Sequence, residues 1–185
     1  MALLETPQFD TGEKATDFKL KNIDDKTYTL DELKGRAGTV IAFICNHCPY
    51  VEAVVDRLVE TANKLEPLGV KTIAIMPNDT DNYPADSFEN MKIFAKKHGF
   101  TFPYLIDESQ DIAKAYGAVC TPDIFGFDAH LKMVYRGRID SAGKNPRNAD
   151  TKAELFEAMS QIANGQDLHQ PQHPSMGCSI KWREG

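Results

Sequence analysis

No apolar run in this 185-residue chain reaches the ~18 residues that a membrane-spanning helix needs. A membrane is therefore not an expected partner. Basic charge is also scarce: 21 lysines and arginines face 27 acidic residues, a net charge of -6. Without a basic surplus the chain has no electrostatic footprint for nucleic acid. The opening stretch MALLETPQFDTGEKATDF has no basic segment followed by an apolar one, as a secretory leader would. A cytoplasmic location is the expectation. Four cysteines are too few to staple a domain of this size, and in a cytoplasmic chain they point to catalysis or metal binding rather than structure.

What is present is an alternation of strand and helix. Phe18, Leu20 and Ile23 suggest a short strand, DDKTYTL a turn into another, and Asp31-Glu32-Leu33 a helical turn ended by Gly35. TVIAFIC and VKTIAIM are near-continuous apolar runs, the pattern of strands buried on both faces. Between them Val51, Val54, Val55, Leu58, Val59, Ala62 and Leu65 recur at helical spacing until Pro67 and Gly69. A second helix carries Phe88, Met91, Ile93, Phe94 and Ala95 on its apolar face, with Asp86 or Ser87 as its cap. FPYLID is a further strand and SQDIAKAYGA a short helix. DIFGFD and KMVYRGRID read as a hairpin about Asp128-Ala129-His130, followed by the amphipathic helix TKAELFEAMSQIANG. These elements predict a single α/β domain over residues 1–164, with a central mixed sheet flanked by helices and an N-terminal β extension. Residues 165–185 form a Pro/His-rich tail whose apolar Ile180 and Trp182 suggest docking on the domain.

The chemistry concentrates in FICNHCPYV, Phe43 to Val51. Cys45 and Cys48 follow a buried strand and open a helix, where free N–H groups and the helix dipole favour a thiolate. The spacing allows a disulfide between them. Such a pair can attack a substrate disulfide and release itself through its second sulfur. The expectation is that Cys45 attacks and Cys48 resolves. If Pro49 takes the first helical position, however, Cys48 becomes the cap and feels the dipole as strongly. His47, with Asn46, lies between the sulfurs and would stabilise a thiolate; the alternative is an exposed loop histidine. A zinc site usually needs a second ligand pair, and Cys120 and Cys178 are isolated, so no metal ligands are assigned.

Downstream, AVCTPDIFGFD places Thr121-Pro122 at the entrance to a strand. The strand–CxxC–helix unit with this Thr-Pro after it resembles the thioredoxin fold. That resemblance implies that Pro122 is a cis-proline facing the cysteines, and that Thr121 and Pro122 offer an edge to an extended substrate segment. DFKL, a short hairpin and LDELKG before the core strand resemble the AhpC/TSA–redoxin branch, which includes peroxiredoxins and ResA-type oxidoreductases. The implied function is thiol–disulfide exchange through Cys45 and Cys48 with protein or small-molecule disulfides. It would need an external electron donor and no cofactor beyond the disulfide itself. The alternative is a thiol peroxidase with Cys48 as the peroxidatic cysteine and Arg136 or Arg138 polarising the peroxide. That alternative lacks the family's threonine, whose place Cys45 takes. A non-enzymatic metal-binding or redox-sensing module is a third reading. Cys120 is either a third redox thiol or a buried filler, and Cys178 either a resolving thiol or an inert tail thiol.

Overall fold

A computed structural model describes residues 2–8 and 12–184. Seven strands form the main sheet: β2 (Lys19–Asn22), β3 (Thr27–Thr29), β4 (Gly38–Phe43), β5 (Val70–Met76), β6 (Tyr104–Ile106), β8 (Asp123–Asp128) and β9 (Met133–Arg136), in the order β3-β2-β6-β5-β4-β8-β9. β4, β5 and β6 run parallel, and the remaining pairings are antiparallel. This is the mixed sheet that the sequence pattern predicts. β4 and β5 are continuous apolar runs because both of their faces are covered. Along β4, Val40 and Ala42 enter one core with Ile44 following, while Ile41 and Phe43 enter the core on the other side.

The helices are α1 (Leu30–Leu33), α2 (Pro49–Glu52), α3 (Val55–Leu65), α4 (Phe88–Lys97), α5 (Asp111–Ala115) and α6 (Glu154–Ala163). Thr29 caps α1 in a reciprocal capping box with Glu32, satisfying two open N–H groups at once. Ser87, not Asp86, caps α4 through its contact with the Asn90 N–H. α3 and α6 pack together on one face of the sheet. They bury Val55, Leu58, Ala62 and Leu65 from one helix and Leu155, Ala158 and Met159 from the other.

Two differences from the sequence reading matter for the site. The helix expected to run unbroken to Leu65 is interrupted at Ala53–Val54. Arg57 Nη2 takes the Ala53 carbonyl at 3.1 Å, while its other nitrogen reaches Asp140 at 2.7 Å. A carbonyl left open by the break is thereby satisfied, and the loop after β9 is fastened to α3.

The second difference is an additional three-stranded sheet. β1 (Leu3–Glu5), β10 (Met176–Ser179) and β7 (Cys120–Thr121) pair antiparallel in the order β1-β10-β7. The last strand of the chain thus lies against the Thr121-Pro122 segment. Periodicity could not reveal strands of two to four residues whose partners are more than fifty residues away. Of the N-terminal stretch, where the sequence predicts a β extension, residues 1 and 9–11 lie outside the described residues.

Candidate active site

β4 delivers Cys45 to the end of the central strand, and Pro49 occupies the first position of α2. Cys48 is therefore the N-cap, with extended φ/ψ of -77° and 121°. Proline fits there because its missing N–H is one that a helix start leaves unbonded anyway. Cys45 and Cys48 are both closed off from solvent, at 1% and 0% exposure. The Thr121–Pro122 peptide is cis, and this segment faces the cysteines. Cys45 Sγ lies 3.4 Å from Thr121 Oγ1, and Cys48 Sγ lies 3.2 Å from the Thr121 carbonyl oxygen.

A third sulfur completes the cluster: Cys178 Sγ, on β10, is 3.0 Å from Cys48 Sγ. The four cysteines are all free thiols.

The electrostatics separate these sulfurs. Cys48 is pulled down to about 4, first by the neighbouring Cys45 thiol and further by the Cys178 thiol and the N–H groups of Cys178 and Val51, against an opposing effect of burial. The Thr121 carbonyl favours the protonated thiol, but the donors outnumber it. Cys45 is held well above the ordinary thiol range by its bond to Cys48, by burial and by the charge of Asp86. Cys178 is raised to about 11 by burial and by Cys48. The helix cap and the surrounding donors converge on Cys48 rather than on Cys45, the thiol that the sequence pattern expects to attack. Cys120 is pushed up by burial and by Asp123. It is fully buried, and its sulfur lies 3.6 Å from the Pro122 carbonyl oxygen. These surroundings fit a space-filling thiol.

His47 is not a free loop histidine. Its Nδ1 lies 2.7 Å from Asp86 Oδ2, without the alignment of a hydrogen bond, and its ring stacks on Tyr83. Asp86 is fully buried. It accepts the Asn46 N–H at 2.8 Å and Asn78 Nδ2 at 2.8 Å. Asn46 Oδ1 in turn accepts the Tyr104 hydroxyl at 2.9 Å. Sequence reasoning missed Asp86 as a site residue because a polar loop supplies it, rather than the strand leading into the motif. Its one signal, an acid just before a helix cap, reads as capping. Among the described residues, Cys45, His47 and Asp86 are the group able to hold a metal, their donor atoms lying within 4.8 Å of one another. Thiolate, imidazole and carboxylate suit Zn²⁺, although both Asp86 oxygens already accept hydrogen bonds.

The two candidate arginines do not join the cluster. Arg136 gives its donors to buried Asp123, at 3.2 and 2.8 Å, and to the Gly117 carbonyl, and lies over the Phe125 ring. Arg138 pairs with Glu154 at 2.6 and 2.9 Å. A buried charge must be paired to be tolerated, which ties the buried Arg136 to Asp123. Both guanidiniums are held by carboxylates rather than by the cysteine cluster where the expected polarising role would place them. The edge beside Pro122 is also not open to a substrate segment, because β10 pairs with it, Cys178 opposite Thr121 and Ser179 opposite Cys120. What remains open nearby is a cleft of about 430 Å³ lined by Tyr50, Val54, Pro122, Asp140, Ser175 and Met176 among others. It reaches the rim of the cysteine cluster but not the sulfurs.

The AhpC/TSA family matches residues 11–136, from the N-terminal extension through the cysteine pair and the cis-proline to the end of β9. The thiol-disulfide oxidoreductase ResA of Halalkalibacterium halodurans is 23% identical over 146 residues, 79% of this chain and 77% of that protein. The chloroplastic peroxiredoxin Q of Populus jackii is 27% identical over 115 residues, 62% of this chain and 49% of that protein. Among solved structures, a conserved protein from Geobacillus kaustophilus superposes with a TM-score of 0.93 at 45% identity, over 100% of this chain and 98% of that one. The thioredoxin domain of a thiol-disulfide oxidoreductase from Bacteroides vulgatus has a TM-score of 0.59 at 18% identity, over 70% of this chain and 89% of that one. The second likeness establishes the thioredoxin-like fold. With two thirds of the chain matched and both cysteines inside the match, the protein belongs to the AhpC/TSA family.

Proposed function

We propose that the protein is a thiol–disulfide oxidoreductase that works through Cys45 and Cys48, with Cys48 as the nucleophile. The observation that carries this reading is the place of Cys48: it is the N-cap of α2 beside the cis-proline segment, with the Cys178 sulfur 3.0 Å from its own, and these surroundings pull it down to about 4. Cys48 attacks a substrate disulfide. The substrate S–S bond breaks, one substrate thiolate leaves and takes up a proton, and a mixed disulfide remains on Cys48. Cys45 then gives up its proton to the Asp86–His47 pair, whose donor atoms lie within 4.8 Å. It attacks Cys48 Sγ and expels the second substrate thiol. The products are two substrate thiols and a Cys45–Cys48 disulfide, which an external dithiol reduces again. The pair is its own redox group and needs no further cofactor. Substrates would approach through the cleft beside Tyr50 and Pro122, which suits a small or flexible disulfide. A cytoplasmic setting, where thiols are kept reduced, goes with this reading.

One observation favours peroxidase chemistry as the second reading. Both sulfurs are buried, and Cys178 of β10 lies against the Cys48 sulfur, an enclosure that admits a small oxidant more easily than a folded protein. The two readings separate in one assay, in which reduction of oxidised glutathione and of insulin is set beside hydrogen-peroxide consumption with dithiothreitol as donor. Catalysed disulfide reduction that is lost in Cys48→Ser is the expected result. Peroxide consumption without disulfide reduction would overturn the proposal in favour of the peroxidase.

A further inference from the structure

Cys48 has two sulfur neighbours, and exchange with Cys45 uses only one. The other, Cys178, is brought in by β10, which the chain holds firmly at the cysteine site. Ile180 is buried in the second core. The Lys181 N–H donates to Asn78 Oδ1 at 2.9 Å, its carbonyl accepts from the Asp79 N–H and from Gln110 Nε2, and the Ser175 hydroxyl donates to the Pro122 carbonyl at 2.7 Å. Gly177 shows how tight the approach is: a Cβ there would sit 2.0 Å from the Thr121 carbonyl oxygen and 2.6 Å from its carbon. Only glycine allows β10 to lie this close to the cis-proline segment. The pairing of Cys178 with Thr121 then sets its sulfur 3.0 Å from Cys48 Sγ. β10 thus occupies the edge that an added substrate strand would use, with a cysteine at the position facing the nucleophile.

We propose that Cys178 is a second resolving thiol, competing with Cys45 for a mixed disulfide on Cys48 and closing a Cys48–Cys178 disulfide that bonds the C-terminal strand to the start of α2. The step rests on Cys48 attacking a disulfide as described. Cys178, as thiolate, attacks Cys48 Sγ. The Cys48–substrate bond breaks as the Cys48–Cys178 bond forms, and the departing substrate thiolate takes the proton that Cys178 released. The number of electrons is unchanged within this step, the substrate disulfide having been the oxidant. Part of what raises Cys178 is its neighbour Cys48; once Cys48 is a mixed disulfide its charge is gone, and Cys178 deprotonates more readily.

The test maps disulfide-linked peptides by mass spectrometry. Reduced wild type, Cys45→Ser and Cys178→Ser are oxidised with oxidised glutathione, quenched by alkylation and digested. The wild type is expected to yield both Cys45–Cys48 and Cys48–Cys178 peptides, Cys45→Ser only the latter and Cys178→Ser only the former. A Cys45→Ser protein that stops at a glutathione adduct on Cys48 with Cys178 free, while Cys178→Ser closes its disulfide, overturns the proposal alone. Closure in Cys45→Ser without closure in Cys178→Ser leaves Cys178 as the resolving thiol and overturns the Cys45–Cys48 cycle. A wild type without the Cys48–Cys178 peptide refutes the role of Cys178 whatever the folding of the variants.

Discussion

Replacing Cys178 by alanine removes one of the donors that hold Cys48 as a thiolate, and its effect can be worked out from the structure. Cys178 Sγ is 3.0 Å from Cys48 Sγ. A hydrogen bond to a charged group contributes about 1.5–3 kcal/mol, and one pKa unit corresponds to about 1.4 kcal/mol. Cys178→Ala should therefore raise Cys48 from about 4 by roughly 1–2 units. Cys178→Ser keeps a hydroxyl donor and should hold Cys48 nearer its original value. The readout is ultraviolet thiolate absorbance against pH. Cys45, Cys120 and Cys178 are all raised, so a transition in the acid range belongs to Cys48. The folded-state value lies below that of the unfolded chain, so the thiolate's contribution to stability is full above the unfolded thiol value. It is lost as pH falls toward about 4. In the alanine variant that loss is complete at a higher pH, and the contribution above the thiol range is smaller by the same hydrogen bond. An unchanged midpoint in Cys178→Ala, or a wild type with no transition below the ordinary thiol range, would refute the reasoning.

Other substitutions test other parts of the site. Gly177→Ala places its Cβ against the Thr121 backbone and should cost about 1–3 kcal/mol of stability, with alkylation of Cys178 in the native protein becoming several-fold faster; protection equal to the wild type would argue against the tight β10–β7 contact. Asp86→Asn sets a side-chain amide against donors that the carboxylate now accepts. It should cost about 1–3 kcal/mol in denaturant unfolding and lower the pKa of Cys45, whose thiol the Asp86 charge helps to raise. Asp123→Asn leaves Arg136 buried without its ion pair and should destabilise by about 3–5 kcal/mol, while the Cys48 titration midpoint stays in place; a shifted midpoint would tie Arg136 to the thiol chemistry after all.

The frame of the site is legible in the residues because local patterns encode it. The unbroken apolar runs of β4 and β5 mark central strands, CNHCP after such a run marks a strand-to-helix turn, and the resemblance to the thioredoxin fold makes TP before DIFGFD the opposing segment. The position of Pro49 already contains the argument for Cys48, since a proline at the first helical position makes the preceding residue the cap. What the sequence does not display is long-range. Cys178 and Cys48 are 130 positions apart, and no period relates a four-residue strand to the two-residue strand it pairs with. The apolar Ile180 and Trp182 in a polar tail signal docking without saying where. Asp86 is hidden in the same way: a buried acid from a loop cannot be told from a capping acid until Asn46 and Asn78 are seen to converge on it. Arg136 reads from the sequence as a candidate to polarise a peroxide, and nothing local in the sequence shows that Asp123 and the Phe125 ring enclose it.

The central claim is that Cys48, the helix-cap sulfur, is the nucleophile of the pair. The most direct measurement is the order of alkylation of the reduced protein by limiting iodoacetamide, with the labelled peptide identified by mass spectrometry. The pH should lie between the depressed value of about 4 and the ordinary thiol range of ~8.5. The account predicts that Cys48 carries the first label, because it alone of the four cysteines is ionised there. First labelling of Cys45 would contradict it and restore the order of roles that the sequence pattern alone suggests.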